Sequence, residues 1–206
     1  MKRLVFALLI VTTTAGKAQD MQFGLKGGLT YSVFPKDGPE DWDGFGFHIG
    51  GLMDIGFSEL LNFRTELVLA DRGIQNKTPF AIFTTEVVAK YNTFPLYLTL
   101  PILYQYKAGN KFSLFVGPQF SFLLSNTIRS MVYVDGELFA DERLKGEDAT
   151  NFMRKFELGL AIGAEYKLAD QLNLGVRYIR GIQSTGEADG SNDFYNGVQL
   201  SLLLKL

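Results

Sequence analysis

The chain contains one histidine, His48, and no cysteine among its 206 residues, and that limits the chemistry open to it. Thiolate nucleophiles, disulfides, thiolate zinc sites and iron–sulfur clusters are excluded by composition, as are multi-histidine metal sites. No cofactor and no metal site is therefore expected. A Ser-His-acid arrangement would have to use His48 as its base, with Asp54 nearby and Glu66 on the following segment as candidate carboxylates. By parity His48 points into the interior of its segment, where a buried hydrogen bond is a plainer role than catalysis, so the chain is read as a non-enzyme.

A second group of candidates is ionic. Lys26, Arg64, Arg177 and Lys205, with Lys111, share the polar face of alternating segments with Asp54, Glu66, Glu157 and Glu165. Buried ions need partners, so opposite charges on the inner face of a closed structure form either an ion path or a rigid plug. In a narrow interior the plug is the expectation. The connections between segments are acidic: 33–43, 126–152 and 183–193 each carry three more acids than bases. Oxygen-rich loops can hold calcium, but none has the spacing of an EF-hand, and solvated loops are expected. With 20 Lys+Arg against 22 Asp+Glu there is no basic stripe, so no nucleic-acid partner is expected.

The elements that must position these residues follow a period of two. Eight segments alternate apolar and polar side chains, beginning with Phe23, Leu25, Leu29 and Tyr31 opposite Gln22, Lys26, Gly28 and Thr30. The others run through His48 and Asp54, through Arg64 and Glu66, and from Phe94 to Tyr106. They continue from Phe112 to Phe122, from Phe156 to Tyr166, from Leu172 to Tyr178 and from Val198 to Leu206. Their connections alternate long (33–43, 72–87, 126–152, 183–193) and short (58–61, 107–110, 169–171). This is the pattern of an all-β, eight-stranded antiparallel up-and-down transmembrane β-barrel, with long loops on one rim and tight turns on the other.

Alternation alone does not say whether the apolar face points in or out. The polar face mixes Gly, Ala and Ser with charges of both signs, which suits a narrow filled lumen better than a solvated exterior. The segments also have bilayer-crossing length, and aromatics gather at both ends of the apolar face. Phe23, Phe57, Phe63, Tyr106, Phe112 and Tyr166 lie toward the turn rim, while Tyr31, Phe45, Phe120, Phe122, Phe156 and Tyr178 lie toward the loop rim. The apolar face is therefore expected to meet outer-membrane lipid. Ahead of the segments, Lys2 and Arg3, the apolar run Leu4 to Val11 and Gly16-Lys17-Ala18 have the pattern of a cleavable signal peptide, residues 1–18, leaving a barrel domain at 19–206. Its removal leaves 17 basic against 22 acidic residues.

Four short segments carry a family likeness: Phe23-Gly24-Leu25-Lys26-Gly27-Gly28-Leu29, Leu98-Thr99-Leu100-Pro101-Ile102-Leu103, Phe115-Val116-Gly117-Pro118 and Leu174-Gly175-Val176-Arg177-Tyr178. With them the chain resembles the PorT-type outer-membrane β-barrel family of Gram-negative bacteria. The resemblance implies a small cell-envelope barrel in the outer membrane, with some relatives taking part in secretion. It departs from the family at Thr99, where an inward carboxylate is common.

The longest loop contains a candidate hairpin, Ser130 to Phe139, turning at Asp135-Gly136. Met131, Tyr133, Leu138 and Phe139 on it are candidate contacts for an envelope protein partner. The reading is thus a non-enzymatic interaction or assembly component, with a narrow porin-like channel for small solutes as the alternative and a lipid-modifying barrel enzyme behind it.

Overall fold

The computed structural model describes residues 21–34, 42–82, 85–150, 153–184 and 194–206. The proposed leader, and most of the loops 33–43 and 183–193, lie outside the described residues. In chain order the strands are β1 (Met21–Phe34), β2 (Trp42–Gly56), β3 (Leu61–Asp71), β4 (Ile74–Ile82), β5 (Thr85–Thr93) and β6 (Leu96–Lys107). They continue as β7 (Phe112–Ser125), β8 (Thr127–Val134), β9 (Glu137–Lys145), β10 (Phe156–Lys167), β11 (Leu172–Ser184) and β12 (Phe194–Lys205).

Eight of these form a closed barrel in the order β1-β2-β3-β6-β7-β10-β11-β12, every neighbouring pair antiparallel. Closure is made by β1 against β12, in register from Gly24 opposite Lys205 to Val33 opposite Asn196. A backbone in lipid has no water to bond, so closure satisfies the two edges that an open sheet would leave bare. The barrel strands run from 11 to 15 residues, enough to cross a bilayer at a tilt.

Side-chain direction settles the question of which face meets lipid. Phe23, Leu25, Leu29, Phe47, Ile49, Leu67, Leu160, Ile162, Val176 and Leu202 are exposed on the outside. Lys26, Asp54, Arg64, Glu66, Glu157, Glu165 and Arg177 are buried inside. This is the inverse of a soluble core. The outer aromatics pack along the wall, with ring centroids 4.9 Å apart for Tyr31 and Phe45 and 5.1 Å apart for Phe122 and Phe156.

On one rim the three turns, β2–β3, β6–β7 and β10–β11, are tight. In that between β2 and β3, the amides of Phe57 and Ser58 donate to the Leu61 carbonyl, while the Leu61 amide donates to Ser58 Oγ at 3.0 Å. The opposite rim adds strands to the eight of the barrel, and there the loop reading is corrected. Residues 72–87, expected as a loop, begin a β4–β5 hairpin, and β5 pairs with β8 of a second hairpin, β8–β9. The result is a four-stranded extension, joined to the wall by the pairing of Asp43 with Gln75. The β8–β9 turn lies at Asp135-Gly136 as expected, both with positive φ, 49° and 85°, the signature of a type I′ hairpin turn. The hairpin itself is longer than Ser130 to Phe139.

Close strand approach explains one glycine. Gly28 faces inward between β2 and β12, where a Cβ would collide with the Leu200 carbonyl and Ser201 Cα, whereas a Cβ on outward-facing Gly27 would meet only the His48 carbonyl, at 3.6 Å. Gly28→Ala is expected to cost about 1–3 kcal/mol of stability and Gly27→Ala close to nothing. Urea unfolding of the two variants in lipid vesicles checks the contrast, and equal midpoints would remove the close-approach argument.

Candidate functional site

Inside the barrel the inward side chains meet in three tiers. Nearest the turns, Arg64 of β3 donates from Nε and Nη2 to the two oxygens of Asp54 on β2, at 2.5 and 2.8 Å. Its Nη1 reaches Glu165 of β10 across the lumen. Glu165 also accepts from Gln105 at 3.3 Å and Asn173 at 3.4 Å, and Lys205 lies 3.9 Å from Asp54. Two carboxylates thus share one planar guanidinium, whose fork matches them.

In the middle tier Glu66 is the anion. Arg177 of β11 donates to both its oxygens at 2.9 and 2.6 Å, and Lys26 of β1 donates at 3.0 Å. His48 lies in the same slice, its Nδ1 3.0 Å from Thr30 Oγ1 and its Nε2 2.8 Å from Ser201 Oγ. Gln199 also donates to Thr30, so the imidazole is held between two hydroxyls, and which ring nitrogen donates follows its tautomer. His48 is only 2% exposed.

The tier toward the loop rim contains the residue that the sequence reading missed. Arg72, expected in a loop, is buried, donating to Glu157 of β10 and, at 2.9 Å, to Ser121 of β7. Its guanidinium carbon lies 3.9 Å from the ring centroids of both Tyr97 and Tyr195, and Tyr97 donates to Glu157 at 2.8 Å. A desolvated cation between two ring faces is strongly held. The signal was parity: Arg64, Glu66, Val68 and Ala70 all face inward, and Arg72 is the next step of two. Above it Phe34, Ile74, Ile179 and Tyr195 gather in an apolar cluster, with Trp42 and Met153 packed against it.

The structure therefore brings all eight predicted lumen charges inside, pairing Lys26 with Glu66, Glu66 with Arg177, Asp54 with Arg64 and Lys205, and Arg64 with Glu165, while Glu157 takes Arg72. Lys111 does not join them, because it lies exposed in the β6–β7 turn. The four hairpin candidates divide. Met131 is buried, a correction to its reading as a free contact, because β5 lies alongside β8 with Lys90 opposite Met131. Tyr133 is half-buried with the Lys90 ammonium 4.2 Å from its ring centroid. Leu138 and Phe139 are exposed on β9, and Phe139 falls at a bulge where β9 has one residue more than β8. Arg129 forks onto Asp141 at 2.9 and 2.6 Å and holds that carboxyl below the usual carboxylate range.

A closed wall with an apolar outside and a charged, side-chain-filled inside has its counterpart among known proteins. A family model described as an outer membrane protein beta-barrel domain matches residues 17–187. The chain belongs to that family. No curated protein matches it in sequence. Among solved structures, this outer-membrane barrel is similar to Ail, the attachment invasion locus protein of Yersinia pestis, at 9% identity, 90% of this chain, 99% of that chain and TM-score 0.47. It is also similar to Neisserial surface protein A, at 13% identity, 89% of this chain, 97% of that chain and TM-score 0.48. OprG from Pseudomonas aeruginosa matches at 14% identity, 91% of this chain, 97% of that chain and TM-score 0.40. At these identities the likeness concerns the barrel fold alone.

Glu66 is the one anion between two buried cations. Glu66→Gln is expected to lower the stability of the outer-membrane barrel by about 3–5 kcal/mol, because Lys26 and Arg177 lose their counter-charge while buried. Adding Arg177→Met should return part of the loss. Urea unfolding of the single and double variants from vesicles measures the coupling, and strict additivity would show that the pair does not interact.

Proposed function

We propose that this protein is a non-enzymatic interaction or assembly component of the Gram-negative outer membrane, exported by the leader at residues 1–18. The turn rim then faces the periplasm and the strand-built extension projects outward. The observation that carries this reading is the extension itself. Among the described residues, no strand pairs with the outer edge of β9, which ends the sheet order, and Leu138, Phe139 and Leu144 stand exposed along it. An open edge strand offers its backbone amides and carbonyls to an extended segment of a partner, while alternate side chains set specificity.

The filled lumen supports the same reading from the other side. A barrel whose inward charges pair across the lumen, with Arg72 stacked between two tyrosines, is built as a support. The resemblance to PorT-type barrels favours a partner in the secretion apparatus of the envelope.

Two measurements test this. The native protein, extracted in mild detergent, is expected to co-purify with a stoichiometric envelope partner, and Leu138→Asp with Phe139→Asp is expected to abolish recovery of that partner while the barrel stays folded. Unchanged recovery would remove β9 as the contact. In planar bilayers the wild type is expected to conduct no more than the bare membrane, and a stable conductance would favour the channel alternative.

A further inference from the structure

The turn rim lies at the end of the barrel away from the strand-built extension. Two adjoining cavities of about 490 and 630 Å³ open there and share Gln22, Glu59 and Lys107 in their walls. The last inward positions of β6, β10 and β12 are Lys107, Lys167 and Lys205, and the turn after β6 adds Lys111, so four ammonium groups from separate parts of the chain line the smaller cavity. Asn110 and Ser113 add polar side chains beside them.

Most of the opposing acid is already engaged. Glu165, at the floor, is held by Arg64, Gln105 and Asn173. Asp170 pairs with Lys167 at 2.9 Å, and the two oxygens of Asp54 are taken by Arg64, with Lys205 only at 3.9 Å. Among the described residues, Lys107 and Lys111 have no carboxylate within ion-pair distance, and Glu59 is the remaining acid in the wall. Cations converging in a concave site with low-dielectric walls raise the local concentration of anions.

We propose that this vestibule is a binding site for a phosphate ester, held by Lys107, Lys111 and Lys205 with Ser113 and Asn110 as neutral donors. A phosphate fits better than a single carboxylate because its oxygens, spread around one centre, can answer several ammonium groups at once, and lysine serves such groups as a mobile point charge. The Arg64, Asp54 and Glu165 cluster closes the lumen beneath it, so the ligand stops at the mouth. Two sources present this chemistry at the turn rim: the headgroup of a phospholipid in the adjacent leaflet, or a soluble phosphate ester.

The test uses the full barrel. Glycerol 3-phosphate is titrated into protein in a neutral detergent by calorimetry, and phosphatidylglycerol retention is measured by native mass spectrometry of protein released from phosphatidylcholine nanodiscs containing it. The wild type is expected to bind in at least one arm, and Lys107→Gln with Lys111→Gln to weaken that binding about tenfold or more, the loss of charged hydrogen bonds. Lys155→Gln, an exposed lysine outside the vestibule, should leave binding unchanged. Binding in the calorimetric arm identifies a soluble ester, and retention in the nanodisc arm alone identifies lipid. No binding in either arm, or binding that the double variant does not weaken, overturns the site. Both glutamine variants keep the turn and strand backbone, and an unheated gel confirms folding.

Discussion

A guanidinium deprived of water must be answered by carboxylates, and in an eight-stranded barrel those carboxylates have to come from across the lumen. Arg64 is the plainest case: β2 supplies Asp54 from the adjacent strand and β10 supplies Glu165 from the far wall. Glu66 repeats the scheme with the signs reversed, held by Lys26 of β1 and Arg177 of β11. A strand that slipped by one residue would turn these charges toward lipid, so the demand for pairing reinforces the register that the apolar outer face already selects. Shape, closure and the filled interior follow from that shared constraint.

Much of the barrel was legible in the sequence because its two solvents differ so sharply. Each step of two along β3 alternates between a side chain that lipid accepts, such as Leu67, and one that it rejects, such as Glu66. The same contrast revealed the inward charges without revealing how they pair, since partners such as Arg64 and Glu165 lie 101 residues apart and only the barrel order brings them together. Arg72 escaped because it lies one step past the end of β3, beside Gly73, where a loop reading is natural. Its sandwich between Tyr97 and Tyr195 could not be read from residue types alone.

The loop rim was harder to read for a related reason. Outside the bilayer a strand has no lipid to mark its outer face, so β4 and β5 lack the apolar alternation of the wall, and residues such as Gln75 and Asn76 read as loop. The β8–β9 hairpin was visible through its Asp135-Gly136 turn, which needs only local backbone chemistry. That β5 lies against it, burying Met131, is a tertiary fact with no sequence period behind it. The two ends of the molecule therefore differ in kind: one extends its sheet beyond the membrane, and the other stops at a ring of lysines.

The distance along the chain between paired charges also bears on how the barrel comes into being. Glu66 waits for Arg177, 111 residues later, and His48 for Ser201, 153 residues later. Until β10 to β12 arrive, the carboxylates and guanidinium of β2 and β3 have only part of their cross-lumen partners, and a half-built wall cannot hold them in hydrocarbon. Any route of insertion has to keep that inner face wet through most of the process. The lumen is enclosed only at the end, when β12 meets β1.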